Sequence, residues 1–381
     1  MDYDLTEEQE MFKRMVREFA LAEIIPRAEE MDEACEFPYD IIAKMADLGL
    51  MGLPFPEEYG GSGADMVSFV IALEEISRAD ASLGITMEAH TTLGSLPIYY
   101  EGTEKQKQEW LVPLARGEIL GAFGLTEPEA GSDAGATKTA AELDGDEWVI
   151  NGTKCFITNS GTEMSRVVTI TAVTGMVGGK KEISNILVPH GAPGFTVAPP
   201  YRKMGWHASD THELSFNDCR VPLENLLGER GGGFRCFLKV LDAGRVAIAA
   251  LAVGLARACL EESVKYARER VQFGRPIGKF QGVSFKCADM FMEVELARMA
   301  TLKAAWLADQ GRPYTREAAV AKLFASETAM RAANDAVQIH GGYGYIEDYP
   351  VCRYFRDAKI LEIGEGTSEV QRVILSRSLG L

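Results

Sequence analysis

The sequence lacks paired cysteines, long apolar runs and a positive net charge, and each absence excludes a class of protein. Its seven cysteines are scattered from Cys35 to Cys352 without a CxxC pair, so neither a zinc site nor a redox dithiol is indicated. We expect them to be reduced core residues, as in a cytoplasmic protein. No apolar run is long enough to span a bilayer, and the acidic start MDYDLTEEQE has no secretory signal pattern. The net charge of −17 disfavours nucleic acid and anionic membranes as partners.

Several common enzyme motifs are also missing. The chain has no HExxH, GxSxG or P-loop motif, and its five histidines are too dispersed to indicate a metal site. The run GERGGG at 228–233 lacks the strand and helix that flank a dinucleotide-binding loop. The 381 residues are 46% hydrophobic and 25% charged, which is typical of a globular protein with two or three domains.

Hydrophobic periodicity divides the chain into three regions. Residues 1–120 predict a helical N-terminal domain, in which Thr6 and Gln9 match a capping box. Residues 121–230 carry short β-branched runs, which predict a small β-barrel or sandwich. Residues 231–381 return to the helical period with short connections, which predicts a C-terminal four-helix bundle. The predicted fold class is therefore α+β with several domains.

The sequence also predicts local boundaries within these regions. Asn151-Gly152 is a strong two-residue turn signal, so we expect a hairpin between strands at Trp148–Ile150 and Lys154–Thr158. The helices of the bundle are expected at Val246–Val271, Phe280–Gly311, Thr315–His340 and Ile363–Leu379.

Two segments in the β region have residues suited to a flavin. The loop from Phe123 to Asp133 can present backbone N–H groups and the hydroxyls of Thr126 and Ser132 to a flavin ring or a phosphate. A plain domain-junction loop has the same composition, so both interpretations stay open. Phe156 follows on a strand, where it can cover one face of a flavin, and the alternative is an ordinary core aromatic.

Two further segments bring charged residues to the ends of helices. Asp242 lies near the predicted start of a long helix, where aspartate usually serves as a cap. Arg245, one turn later, can hold a polar ligand group. Arg270 precedes a Gly-Pro turn, where it can clamp a pyrophosphate, and the alternative is a cation favoured at a helix C-terminus.

The last segment, EIGEGTSE, contains Glu365 between two glycines. The glycines allow a backbone or a ligand to approach closely. Thr367 or Ser368 can cap the helix that follows, and the N-terminus of that helix suits a phosphate or carbonyl oxygen. The alternative interpretation is a solvated carboxylate that merely precedes a helix.

Taken together, these motifs resemble the acyl-CoA dehydrogenase family over essentially the whole chain. The segments LTEPEAGSD, NGTKCFITN, RVQFGRPIGKFQ, QIHGGYGY, YPVCRYFRDAKI and EGTSEVQR have that family's order and spacing. The closest likeness is to short-chain, butyryl-type members. The resemblance implies FAD between the β domain and the bundle, with a neighbouring subunit completing the site in a homotetramer.

The resemblance also assigns roles to individual positions. Flavin contacts fall on Phe123, Leu125, Thr126, Gly131, Ser132, Phe156, Ile157 and Thr158, and contacts from a second subunit on Arg270, Phe273, Gln281, Gln338 and Gly342. Thr367 and Glu369 match the family's flavin contacts after the catalytic loop. Acyl-CoA contacts fall on Ser132, Asp242, Arg245, Gly364 and Gly366.

The family's catalytic base falls on Glu365. Some members carry the base instead on the helix that contains DAGR, but that position is Gly244 here, which cannot serve. Many members also have a tyrosine immediately before the base, where this chain has Gly364. The missing ring predicts tolerance of branched or compact acyl groups.

The implied reaction is the α,β-dehydrogenation of a short acyl-CoA to trans-2-enoyl-CoA, in fatty acid β-oxidation. Glu365 removes the α-proton, the β-hydride passes to FAD, and electrons continue to an electron-transferring flavoprotein. Two alternatives remain. One is an oxygen-using enzyme of the same fold, either an acyl-CoA oxidase or a monooxygenase. The other is a non-catalytic assembly protein, against which the full set of FAD-contact residues weighs.

Overall fold

The computed structural model describes residues 4–381 and shows the predicted order of helices, strands and helices. This confirms the predicted α+β fold with helical terminal regions around a β region. The capping box is also confirmed, since Thr6 and Gln9 exchange both reciprocal hydrogen bonds. Residues 1–3, where the predicted N-terminal domain begins, lie outside the described residues.

The N-terminal region is helical throughout. Its α-helices are α1 Glu7–Phe19, α2 Ala28–Ala34, α3 Tyr39–Asp47, α4 Met66–Ala79, α5 Ala81–Glu88, α6 Leu96–Glu101, α7 Glu104–Gln106 and α8 Val112–Ala115, with π-helical segments at Ala20–Ile24, Ala89–Ser95 and Lys107–Leu111. Asp80 separates α4 from α5 and caps α5, because its carboxylate accepts a hydrogen bond from the Leu83 N–H at 3.0 Å. Every residue of α5 is buried, so this short helix carries its side chains into the interior.

The central region is a mixed sheet. Its strands are β1 Leu120–Gly124, β2 Ala140–Asp144, β3 Glu147–Thr158, β4 Ser165–Val177, β5 Lys180–Pro189, β6 Phe195–Val197, β7 Thr211–Pro222 and β8 Leu226–Leu227. They pair in the order β6-β7-β3-β2-β4-β5-β8, with β1 beside β4. A single pair, Ala140 with Val173, joins β2 to β4. Trp148 and Phe216 from one half share a buried cluster with Ile170 from the other, so the two halves enclose one core.

The hairpin predicted at Asn151-Gly152 is wrong. Both residues lie within β3, and its register against β7 shifts between Ile150 and Gly152. A Cβ at Gly152 would stand 2.4 Å from the Thr139 hydroxyl oxygen. The glycine therefore marks a bulge and a close approach. The turn between β2 and β3 instead contains Gly145, at φ +67°.

The C-terminal region is a bundle of long helices. Its elements are α9 Gly233–Glu269, β9 Val271–Gln272, β10 Arg275–Pro276, α10 Gln281–Asp309, α11 Thr315–His340, α12 Val351–Leu361 and α13 Ser368–Ser378. The predicted start of the first helix at Val246 is wrong, because α9 already begins at Gly233. The last predicted helix is also too long, since residues 362–367 form a loop between α12 and α13. We call this segment the Glu365 loop.

Contacts between the regions fix the helix that precedes this loop. Asp357 on α12 is buried and accepts a hydrogen bond from the Trp206 N–H of the β region at 2.6 Å.

All seven cysteines are free, but Cys35 is exposed, so the expectation that all are core residues is wrong for it. Within residues 4–381, no helix has both the length and the apolar character needed to cross a membrane.

Candidate active site

The Glu365 loop holds its central residue in an unusual backbone conformation. Glu365 has φ +50°, a region that residues other than glycine rarely adopt. The loop is closed by a hydrogen bond from the Ser368 N–H to the Glu362 carbonyl at 2.9 Å. Thr367 caps α13 by accepting from the Val370 N–H at 3.3 Å, which confirms the predicted cap. Backbone strain at one residue of an otherwise regular turn supports a functional role.

Two buried donors fix the peptide that follows Glu365. Lys322 on α11 donates from Nζ to the Gly366 carbonyl at 2.7 Å, and Gln371 donates from Nε2 to the same oxygen at 2.9 Å. Burial lowers the pKa of Lys322 to about 8. Among residues 4–381, the Glu365 N–H itself has no backbone acceptor. The loop thus leaves this N–H group free beside the glutamate side chain.

The Glu365 carboxylate lies against α9, directly over Gly244. A Cβ at Gly244 would stand 2.0 Å from Glu365 Oε2, so only glycine leaves room for the carboxylate. Both carboxylate oxygens are buried without a partner in the part of the chain described, although the residue as a whole is partly exposed. Burial raises the pKa of Glu365, against the lowering effects of the nearby Glu88 carboxyl and of the Lys322 and Arg245 charges.

Glu88, at the end of α5, is a residue of this site that sequence analysis missed. It is completely buried, and Thr92 donates its hydroxyl to Glu88 Oε1. The Glu88 carboxyl lies close enough to that of Glu365 for each to shift the pKa of the other, and burial raises the pKa of Glu88 well above its ordinary value. The available signal was its position as the one carboxylate in the segment ASLGITMEAHTTLG. Lys322 on the alanine-rich helix α11 was missed as well.

Asp242 and Arg245 form an ion pair one turn apart on α9. Arg245 Nη1 donates to Asp242 Oδ1 at 2.6 Å, and the Thr315 hydroxyl donates to the other carboxylate oxygen. The prediction that Asp242 caps a helix is wrong, because it lies inside α9. Arg245 Nε is buried and has no partner in residues 4–381, so this N–H remains available to a ligand.

A cavity of about 510 Å³ adjoins this ion pair. Thr92 and Asp242 line it, together with the cationic side chains of Lys239 and Arg312 and the ring of Tyr314. Thr92 bonds the acid that contacts Glu365, and Asp242 bonds Arg245. The cavity therefore combines cations suited to phosphate with two residues, Thr92 and Asp242, that bond Glu88 and Arg245.

The first predicted flavin segment is a loop pinned to the sheet. The Cys155 N–H donates to the Thr126 carbonyl at 2.8 Å, and buried Lys154 donates to the Leu125 carbonyl at 3.1 Å. Phe123 is buried and stacks on Phe237 with ring centroids 5.8 Å apart. Of the remaining predicted residues on this loop, Leu125 and Thr126 are partly buried, whereas Gly131 and Ser132 are exposed.

Phe156 is not a core aromatic, so that alternative is wrong. Its side chain is 66% exposed on β3, and its φ is +60°. It packs beside Tyr201 with ring centroids 5.1 Å apart. Ile157 is buried and Thr158 partly buried. A strained backbone that holds an aromatic ring in solvent suits a ligand that stacks on that ring.

The five residues expected to reach a second subunit are all exposed, and we call them the exposed set: Arg270, Phe273, Gln281, Gln338 and Gly342. Phe273 is 93% exposed at φ +51°. Arg270 and Gly342 line a cavity of about 470 Å³ that also contains His340, whose Nε2 is buried without a partner in the described chain. Thr367 is partly buried and Glu369 is exposed at the start of α13. An exposed aromatic, an arginine without an ion pair among residues 4–381 and an open glycine are compatible with a flavin nucleotide.

Comparison with known proteins matches three family models in succession. They are the acyl-CoA dehydrogenase N-terminal domain at residues 6–118, the middle domain at 122–219 and the C-terminal domain at 231–380. The chain is 56% identical to the probable acyl-CoA dehydrogenase YngJ of Bacillus subtilis, over 100% of both chains. It is 50% identical to the short-chain specific acyl-CoA dehydrogenase of Clostridium acetobutylicum, over 99% of both.

Solved structures agree with these sequence matches. Butyryl-CoA dehydrogenase from Megasphaera elsdenii is 44% identical with a TM-score of 0.96, over 100% of both chains. A chain in the structure described as "Electron transferring flavoprotein of Acidaminococcus fermentans" is 48% identical with a TM-score of 0.96, over 100% of this chain and 99% of that one. An acyl-CoA dehydrogenase complexed with FAD from Bacillus anthracis is 34% identical with a TM-score of 0.92, over 99% of this chain and 67% of that one.

Proposed function

Because this chain belongs to the acyl-CoA dehydrogenase family, we propose that it converts short acyl-CoA thioesters to trans-2-enoyl-CoA with Glu365 as the base. The observation that carries this assignment is a buried carboxylate without a partner, set directly over Gly244. The close relatives act on short acyl-CoA substrates according to their names. A family base at the alternative position is impossible, since Gly244 has no side chain.

FAD is the cofactor, as in the related acyl-CoA dehydrogenase from Bacillus anthracis. When bound, it supplies the redox step by accepting the β-hydride. We propose that Thr126, Phe156 and Thr158 hold it from the β region and that Arg270 and Gln338 hold it from a second subunit. The strained, exposed ring of Phe156 supports this assignment, because no protein group covers most of its surface.

The Glu365 loop explains how a weak base removes the proton of a weak acid. The free Glu365 N–H is placed to donate to the thioester carbonyl, which stabilises the developing enolate. Burial of the carboxylate raises the pKa of Glu365 and so brings it nearer to neutrality. Lys322 and Gln371 hold the next carbonyl, so the loop does not have to reorganise during proton transfer.

The substrate is held by groups outside this loop. We propose that Arg245, oriented by Asp242, binds a polar group of acyl-CoA, and that Ser132 and Gly366 also contact it. The cavity beside Asp242 supplies Lys239 and Arg312 for phosphate. Gly364 leaves space beside the reacting carbons, because a Cβ there would meet only the Ile360 carbonyl oxygen, at 3.5 Å.

The protein passes its electrons to an electron-transferring flavoprotein. The likeness to a chain in the electron-transferring flavoprotein structure from Acidaminococcus fermentans supports this partner. We further propose a cytoplasmic homotetramer, since the exposed set includes apolar Phe273 and has no covering element within residues 4–381. Measurement of the mass of the flavin-loaded protein in solution tests the tetramer.

The proposed function is tested by adding straight, branched and cyclic acyl-CoA substrates to the flavin-loaded enzyme and following flavin bleaching. We expect rapid bleaching by at least one short acyl-CoA, and its absence with every substrate would contradict the proposal. Reoxidation by air then separates this enzyme from an oxidase or monooxygenase of the same fold. A dehydrogenase should reoxidise slowly in air and quickly with the electron-transferring flavoprotein.

A further inference from the structure

Glu88 has no part in the mechanism so far, yet it is a buried acid in contact with the base. Its side chain is completely buried at the end of α5. Thr92 donates to one carboxyl oxygen, whereas Oε2 has no partner among residues 4–381. Both carboxylate oxygens of Glu365 are likewise buried without a partner among the described residues. Two carboxyl groups therefore meet in the interior with three oxygens that no protein donor satisfies.

The nearby cations do not neutralise these acids by direct contact. Lys322 Nζ donates to the Gly366 carbonyl, and Arg245 Nη1 donates to Asp242. Neither cation forms a salt bridge with the two carboxyl groups. The only donor to the pair from the segment that follows α5 is the neutral Thr92 hydroxyl.

Other charged groups lie one step further away. Glu362 and Glu369, on the Glu365 loop and at the start of α13, act on Lys322 by raising its pKa against the larger effect of burial. Part of the positive charge of Lys322 is therefore balanced by Glu362 and Glu369 rather than by Glu88 and Glu365. The charges facing the site do not favour two ionised carboxylates in contact.

We propose that Glu88 is a positioning residue that retains one proton and donates it in a hydrogen bond to the Glu365 carboxylate. This inference rests on the proposed role of Glu365 as the base. Two carboxylates in contact away from water repel each other, so one proton stays with the pair. A neutral carboxyl group can donate as well as accept. Because Thr92 donates to Oε1, Oε2 is the oxygen left to carry the proton.

The assigned proton keeps Glu365 in the form that the reaction needs. Glu88 is completely buried, whereas Glu365 is partly exposed and the Lys322 and Arg245 charges act to lower its pKa. The proton therefore stays with Glu88, and Glu365 is the member of the pair that ionises. In the reaction the substrate Cα–H bond breaks and an O–H bond forms on Glu365, while the proton on Glu88 is neither supplied nor consumed.

Two substitutions of similar size separate this role from simple space filling. Glu88→Gln keeps a donor toward Glu365 but cannot ionise, whereas Glu88→Met fills the site without a donor. The measurement is the pH dependence of flavin reduction by a short acyl-CoA. We expect the acid limb of the Gln variant to coincide with that of the parent and the limb of the Met variant to move up by about one pH unit. Coincident limbs in all three proteins would overturn the proposal.

A second measurement does not depend on turnover. The infrared difference spectrum between the parent and Glu88→Gln, both flavin-loaded and without substrate at neutral pH, should show the loss of a buried protonated carboxyl band. Asp357, whose pKa burial raises to about 7, contributes to both proteins and cancels in the difference. If that band persists unchanged in the variant, the proton is held elsewhere and the proposal fails, even if Glu88→Met does not fold. If the parent enzyme shows the band but none of the acyl-CoA substrates reduces its flavin, the proposed function is refuted. The proposal that Glu88 retains a proton would still stand.

Discussion

The Glu365 loop and the exposed set are built in opposite ways. Around Glu365, side chains from α5, α9, α11 and α13 converge, and the carboxylate oxygens are buried within one chain. Every member of the exposed set instead faces solvent, and Phe273 is 93% exposed. One chain thus completes the geometry of the base but leaves open the five flavin contacts expected from a second subunit.

This difference separates two requirements of the enzyme. The base needs a low-dielectric site, which only tight packing provides. A flavin site is a cleft of the kind that often forms at interfaces, so its second wall can come from another subunit. We therefore expect substitutions around Glu365 to damage chemistry without loss of cofactor, and substitutions in the exposed set to damage cofactor retention and assembly.

The largest effect is expected from Glu365→Gln. The variant should bind FAD and acyl-CoA normally but lose flavin reduction by about 10²–10⁴-fold or more, because the amide cannot accept the proton. Stopped-flow bleaching measures the rate, and flavin content is the control. Near-normal bleaching would show that Glu365 is not the base.

Arg270→Ala tests the exposed set. We expect FAD affinity to fall roughly 30- to 800-fold, as for other truncated charge pairs, and the oligomer to loosen. Flavin content after gel filtration and the mass of the eluted protein report both effects. If the variant elutes fully flavinated at the parent's size, Arg270 holds neither FAD nor the oligomer. The expected difference between the two regions then fails at this residue.

Gly244→Ala tests the packing of Glu365 against α9. Its Cβ would stand 2.0 Å from Glu365 Oε2, so the carboxylate must move, and a displacement of about 1 Å can cost about 10²-fold in rate. Flavin binding should be unchanged. In a Glu365→Gln background the same substitution should cost little more, and equal losses in both backgrounds would mean that it acts by another route.

The smallest effect is expected from Gly364→Tyr. The tyrosine ring should fill space beside the reacting carbons and shift discrimination against branched substrates by about 1–3 kcal/mol. The measurement compares kcat/KM for butyryl-CoA, isobutyryl-CoA and 2-methylbutyryl-CoA in parent and variant. An unchanged branched-to-straight ratio would mean that other side chains, such as Leu361 or Leu241, define the pocket.

Local signals in the sequence predicted most elements of the fold. The capping box at Thr6 and the cap at Thr367 form as expected, because each depends on residues within one helical turn. Helix α11 also has the predicted bounds, Thr315–His340. The Asn151-Gly152 hairpin failed because pairing with β7 extended the strand through the turn signal. Tertiary pairing there overrode a local preference.

By itself the sequence determined the order of regions, the family and the identity of Glu365 as the expected base. Each of these depends on motifs whose residues are neighbours along the chain. Only the tertiary structure placed Glu88 and Lys322 beside Glu365 and the missing side chain of Gly244 beneath it. These residues lie far apart in sequence and meet because separate helices pack together. Such contacts leave no periodic pattern, yet they decide the burial, the hydrogen bonds and therefore the proton affinity of the base.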